Sequence, residues 1–154
     1  MIGREDKTSN DLFYTCSLIE YISRKTKNSP NIVANALGLQ EISKIYDLAD
    51  VYHCDNIDRV SDDLIAKHHI TQGNFDNIST CKYSIPTHWD IGKVYKRLIL
   101  KLSAHNHTSI PETTLTVFTS EITRLIENYN SSFYYDSPDA IFQTYLNDCR
   151  PEGI

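Results

Sequence analysis

An all-α fold, a compact orthogonal bundle of about six to seven helices, is what this sequence predicts, and three observations carry that expectation. Apolar residues recur at spacings of three and four along almost the whole chain, which is the period of a helix with one buried face. Only five glycines occur among 154 residues, too few for the tight turns of an all-β protein. No two segments read as paired strands, and no internal repeat or low-complexity tract interrupts the pattern.

Taken in order, the first helix is expected behind a Ser9/Asn10 cap, with Leu12, Cys16, Ile19 and Ile22 as its stripe. "NSPNIVANALG" reads as a short helix, with Ser29 as N-cap, Pro30 at the first helical position and Gly38 as its stop. Leu39, Ile42, Ile45 and Ala49 give a third helix, ending near Tyr52 or His53. Asp55 then caps a fourth, with Ile57, Val60, Leu64 and Ile65 facing inward. Residues 71–86, "TQGNFDNISTCKYSIP", mix Gly, Asn, Asp, Ser and Pro and read as a connecting loop. It divides an N-terminal helical half (1–70) from a C-terminal half (87–154), the two expected to share one core. Thr87 caps the next helix, whose face is Ile91, Val94, Tyr95, Leu98 and Leu102, with Gly92 marking close helix packing. Pro111 opens a long helix through Leu115, Phe118, Ile122, Leu125 and Tyr129. Ser137-Pro138 starts the last, through Ile141, Phe142 and Tyr145, before a frayed tail "CRPEGI".

Composition narrows the function. A net charge of −5 disfavours generic binding to nucleic acid or anionic membrane, both of which attract basic surfaces. The segment "MIGREDKTSN" is polar, and no run approaches the roughly 18 apolar residues of a membrane span, so neither a leader nor a membrane anchor is expected. Cys16, Cys54, Cys81 and Cys149 form no CxxC pair and read as reduced, structural thiols in a cytoplasm, Cys54 being expected buried. The chain carries no GxGxxG, P-loop, HExxH or GxSxG motif, which excludes enzymes built on that machinery.

Residues 18–66 carry a more specific pattern, "LIEYISRKTKNSPNIVANAL" followed by "ISKIYDLADVYHCDNIDRVSDDLI". It resembles a family of short bacterial all-helical proteins of unknown function. There an Ile-Glu-Tyr helix precedes a loop, an Ile-Tyr-Asp…Tyr-His signature and an acidic helix. The matching positions are Ile19, Glu20, Tyr21, Ile45, Tyr46, Asp47, Tyr52, His53, Asp62 and Leu64. Some members are encoded beside ADP-ribosyltransferase-like genes, so the resemblance implies an antitoxin-like, partner-binding role. It implies no catalytic residue, and residues 82–154 lie outside it.

Two constellations could carry function. In "KIYDLADVYHCDN", Asp47, Asp50 and His53 are three residues apart, so on one helix they stay within an arc of about 120°. Two carboxylates and an imidazole suit a divalent metal, with Asp62 or Asp63 as a further ligand. The alternative is a wet helix end, with Tyr52 and His53 packed where the helix dipole favours an imidazolium. His68/His69 and His105/His107 lack the pair spacing of a zinc site and are expected to be exposed. In "WDIGKVYKRLILKL", Lys93, Lys96, Arg97 and Lys101 form a basic stripe opposite the apolar face, with Lys82 nearby and Trp89 as an aromatic anchor. "NYNSSFYYD" adds Phe133, Tyr134 and Tyr135 as loop aromatics that either suit an interface or close the core. The leading expectation is a non-catalytic protein without cofactor that binds and restrains another protein through Trp89, Lys93, Lys96, Arg97, Lys101 and the Phe133–Tyr135 loop. Homo-oligomerisation is left open. The alternative is a small metal-dependent enzyme using Asp47, Asp50, His53 and Asp62, and a weaker one is nucleic-acid binding through the basic stripe.

Overall fold

A computed structural model describes the backbone of residues 2–149 and the side chains of residues 7–149. Apart from Cys149, the expected frayed tail lies outside these residues. The all-α expectation holds, with eight α-helices and no strand among the described residues.

The 25-residue helix α1 (Ile2–Thr26) is the axis of the bundle. Leu12, Cys16, Ile19 and Ile22 are buried as the periodicity predicts, but so is every other residue from Tyr14 to Glu20. A helix surrounded on all sides must satisfy its polar groups internally. Thr15 and Thr26 do so by donating to the carbonyls of Asp11 and Ile22, one turn back. Ser9 and Asn10 lie inside α1 rather than capping it, because the helix already runs from Ile2.

Helix α2 (Pro30–Asp47) starts after Ser29, with Pro30 in the first turn. Gly38 adopts φ 77° and ψ 169°, kinking α2 where a stop was expected, a conformation that favours glycine. Leu48 then leaves helical geometry, so Ala49–Tyr52 forms a separate one-turn helix, α3. Asn56, not Asp55, caps α4 (Ile57–Lys67), its side chain accepting from Asp58 N at 2.8 Å. At the other end of α4, Lys67 and His68 both reach the buried Glu41 carboxylate of α2 at 2.7 Å. Burial opposes the Glu41 charge, yet these two hydrogen-bonded donors hold its pKa below the usual carboxylate range. His68 is therefore a half-buried structural partner rather than an exposed histidine.

Residues 71–87 contain no helix and are fastened to the end of α1. Gly73 N and Phe75 N donate to Thr26 O and Lys27 O, each at 2.8 Å. Thr87 then caps α5 (His88–Asn106) with a reciprocal box, Thr87 and Asp90 each accepting from the other's backbone N–H. Helix α6 (Ile110–Phe118) is capped by Ser109 and ends well before the expected Tyr129. The hydroxyls of Thr119 and Ser120 bond the carbonyls of Leu115 and Val117, each at 2.7 Å. They thereby compete with the helix ladder, and the chain restarts as the short α7 (Ile122–Ile126). A 3₁₀ turn at Phe133–Tyr135 precedes α8 (Pro138–Thr144), capped by Ser137 and followed by a π-helical turn at Tyr145–Cys149.

Core side chains from both halves form one cluster, from Leu12 and Ile19 in α1 to Ile99 in α5 and Phe118 in α6. The most extensive interface is α1 against α5, and Gly92 makes it possible. A Cβ there would lie 2.1 Å from Ser17 Oγ and 2.9 Å from Ser17 Cα. Since the obstructing Cα is backbone, Gly92→Ala must separate the two helices. The expected loss is about 1–3 kcal/mol, read from urea unfolding, where an exposed helical Gly→Ala change would be favourable.

Candidate functional site: a basic row, an aromatic cleft and a buried acid network

Inside the bundle, two glutamates meet. Glu20 of α1 is fully buried and Glu127, just beyond α7, is 4% exposed. Tyr129 joins them, its hydroxyl 2.8 Å from Glu20 Oε2 and 3.0 Å from Glu127 Oε1. Arg24, one turn after Glu20, donates from Nε to Glu20 Oε2 at 3.0 Å and from Nη2 to Tyr129 Oη at 2.9 Å. Tyr95 of α5 donates to Glu127 Oε2 at 2.8 Å, and Asn77 of the long loop donates to Glu127 Oε1 at 3.1 Å. Burial and the Glu20 carboxylate beside it push the Glu127 pKa well above the usual carboxylate range.

The geometry accounts for a neutral Glu127. Tyr129 has one proton and two carboxyl neighbours. If it donates to Glu20, the contact with Glu127 is satisfied only when Glu127 carries a proton and donates it back. Tyr129 Oη then accepts from both Glu127 and Arg24, while Glu20 and Arg24 cancel as an ion pair. Burial first, then the Glu20 carboxylate, also raises the pKa of Tyr129.

Next to this network, α5 carries a surface feature of opposite character. Lys93 and Arg97 are exposed and Lys96 is half-buried, and none of the three has an ion-pair partner among the described residues. Burial, then the neighbouring Arg97 and Lys93, lowers the Lys96 pKa. The Lys96 ammonium lies 5.6 Å from the Phe13 ring centre, and Phe13 in turn meets Trp89 at 5.5 Å. Trp89 also rests on His88 at 4.7 Å, and His88 on Tyr21 at 4.8 Å. Burial, then Arg24, lowers the His88 pKa, so the ring is neutral, with Nε2 buried and unpartnered.

Phe13 and Trp89 form one wall of a cleft between α1, α3 and α5 of about 820 Å³. Tyr14 and His53 form another, their rings stacked 5.8 Å apart. Asp50 also lines it, so Asp50 and His53 of the predicted metal set do share one cavity. Asp62 does not join them, being paired with Lys25 at 2.8 Å on α4. Asp47 is the last residue of α2, on the far side of the Leu48 break from Asp50. Among the described residues no three His, Cys, Asp or Glu side chains converge as a metal site.

The other predicted positions divide. Lys101 pairs with Asp139 at 2.7 Å and is committed within the chain. Of the loop aromatics, which could meet a partner or close the core, only Tyr135 is exposed, at 77%. Tyr134 is buried at 8% and packs edge-on to Tyr129, and Phe133 is half-buried against the core. Tyr134 thus belongs to the interior rather than to an interface. Cys54 is exposed rather than buried, and no cysteine is in a disulfide. The sequence reading missed the Glu20–Glu127 network. Its signals were present as an acid inside the apolar run "SLIEYI" with Arg24 four residues on, and a second acid in "LIENY".

No family model, curated protein or solved structure matches the chain. No helix among the described residues is long and apolar enough to cross a membrane.

The pH dependence of stability follows from Glu127. Its folded pKa lies above its unfolded value of about 4.3, so folding takes up a proton between the two. The stability due to neutral Glu127 is complete below the unfolded value and is lost as pH rises toward the folded one, at up to about 1.4 kcal/mol per pH unit. Glu127→Gln keeps a neutral side chain and removes this dependence. Its Tm relative to wild type is expected to climb as pH rises above about 5, measured by thermal circular dichroism in a buffer series.

Proposed function

We propose that this protein is a non-catalytic interaction module that binds an acidic surface of another protein through the outer face of α5. The observation that carries the reading is the unneutralised row Lys93, Lys96 and Arg97. The protein has an excess of acids, and Lys7, Lys25, Lys27, Lys67 and Lys101 each have a carboxylate partner. Lys44, Arg59 and Lys82 also have no ion-pair partner among the described residues, but they are single charges on separate elements. Lys93 and Arg97 lie close enough to Lys96 to add to the burial that lowers its pKa, and an external carboxylate relieves that repulsion. Trp89, one turn before Lys93, is 36% exposed and supplies the aromatic anchor that interfaces favour. Restraint of the bound protein, as an antitoxin restrains its toxin, is the role that the resemblance of residues 18–66 adds.

The test is capture from a lysate of the native host by the tagged protein and by its Lys93→Glu/Arg97→Glu variant. Both substitutions are on exposed positions, so circular dichroism should show the same helix content and Tm. The wild type is expected to retain an acidic protein at near-equal amount, and the double reversal to lose it by about tenfold or more. Equal retention by the two proteins would remove the basic row from the interface.

A further inference from the structure

The cleft between α1, α3 and α5 has a chemistry distinct from the basic row beside it. Asp11, 9% exposed, and the exposed Asp50 both line it. Between them lies the ammonium of Lys7, 2.9 Å from Asp11 Oδ2 and 3.7 Å from Asp50 Oδ2. Two carboxylates against one ammonium leave the lining net negative, and Asp55 adds to that field at Tyr14. The aromatic walls of Phe13, Trp89, Tyr14 and His53 complete the lining, and ring faces attract cations. Lys96 sits over Phe13 but does not line the cleft.

Tyr14 makes the case specific. The residue is 5% exposed and its hydroxyl is buried without a hydrogen-bond partner. Its ring, stacked on His53, forms part of the wall of a cavity large enough for a small ligand. Two carboxylates and a set of rings thus surround one volume. We propose that this cleft binds an organic ammonium ion. Its charged end takes the place that Lys7 holds in the free protein, and its apolar body lies against Phe13 and Trp89. The inference stands on the cleft alone and does not depend on protein binding by α5.

Trp89 is the only tryptophan of the chain, so its emission reports occupancy directly. The probe is 2-phenylethylammonium, titrated at constant ionic strength, with 2-phenylethanol as the neutral isostere. A saturable change with the amine and none with the alcohol is expected. Lys7→Gln removes the internal competitor and should tighten amine binding by about threefold, while Asp50→Asn should weaken it by a similar factor. No saturable response to the amine, or an equal response to the alcohol, would overturn the proposal, and this wild-type comparison stands without any variant. Folded Lys7→Gln and Asp50→Asn proteins with unchanged affinity would overturn it as well.

Discussion

The hydrogen bond that Tyr129 makes to Glu20 is what the rest of the molecule is arranged around. It brings Tyr129 against the buried stretch of α1, across 109 positions of sequence. Around that contact, Arg24 donates to the carbonyl of Pro86 at 2.8 Å, fixing the entry to α5, and Tyr95 fixes α5 itself. Asn77 donates to Glu127 O at 2.8 Å and holds the long loop. Four segments are thus tied to one polar node in an otherwise apolar core. A node of this kind is costly wherever a member is left unsatisfied, and a shared proton satisfies Tyr129 and Glu127 together. Glu20 Oε1 is the one carboxyl oxygen there left without a partner.

The periodicity of the apolar residues read the architecture correctly because burial on one helical face is a local property. The stripes at Leu12–Ile22 and Ile91–Leu102, the Thr87 cap and the glycine at 92 all do what their local chemistry dictates. Failures came where local and tertiary preferences conflict. The stripe through Phe118, Ile122 and Leu125 continues across Thr119 and Ser120, yet the helix stops at Phe118 and restarts only at Ile122. Tyr134 sits in a polar loop and is nevertheless drawn inward by Tyr129.

The candidate site was legible in part for the same reason. The basic stripe of α5 follows from spacing alone, and Lys93 and Arg97 are exposed as expected. Whether each charge has a partner is a tertiary fact, and it separates the unpaired Lys96 from the paired Lys101. The Glu20–Arg24 pair reads in sequence as an ordinary surface ion pair one turn apart. Only the folding of Glu127 and Tyr129 onto it makes it a buried network. Likewise Asp50 and His53 were singled out as neighbours on one helix, but what gives them a common environment is Phe13, Tyr14 and Trp89 from two other helices. The basic row and the acidic aromatic cleft adjoin through Phe13, which touches Lys96 on one account and Trp89 on the other. The α1–α5 interface therefore positions two surfaces of opposite charge side by side.

The central claim is that the network holds one shared proton and that Glu127 is neutral in the folded protein at neutral pH. Carbon-13 NMR of the glutamate side-chain carboxyls, followed through a pH titration, reads this directly. One carboxyl carbon should keep the shift of a neutral acid through pH 7, and that signal should be missing in Glu127→Gln. If every glutamate carboxyl is ionised by pH 7 while the protein remains folded, the shared-proton network is wrong.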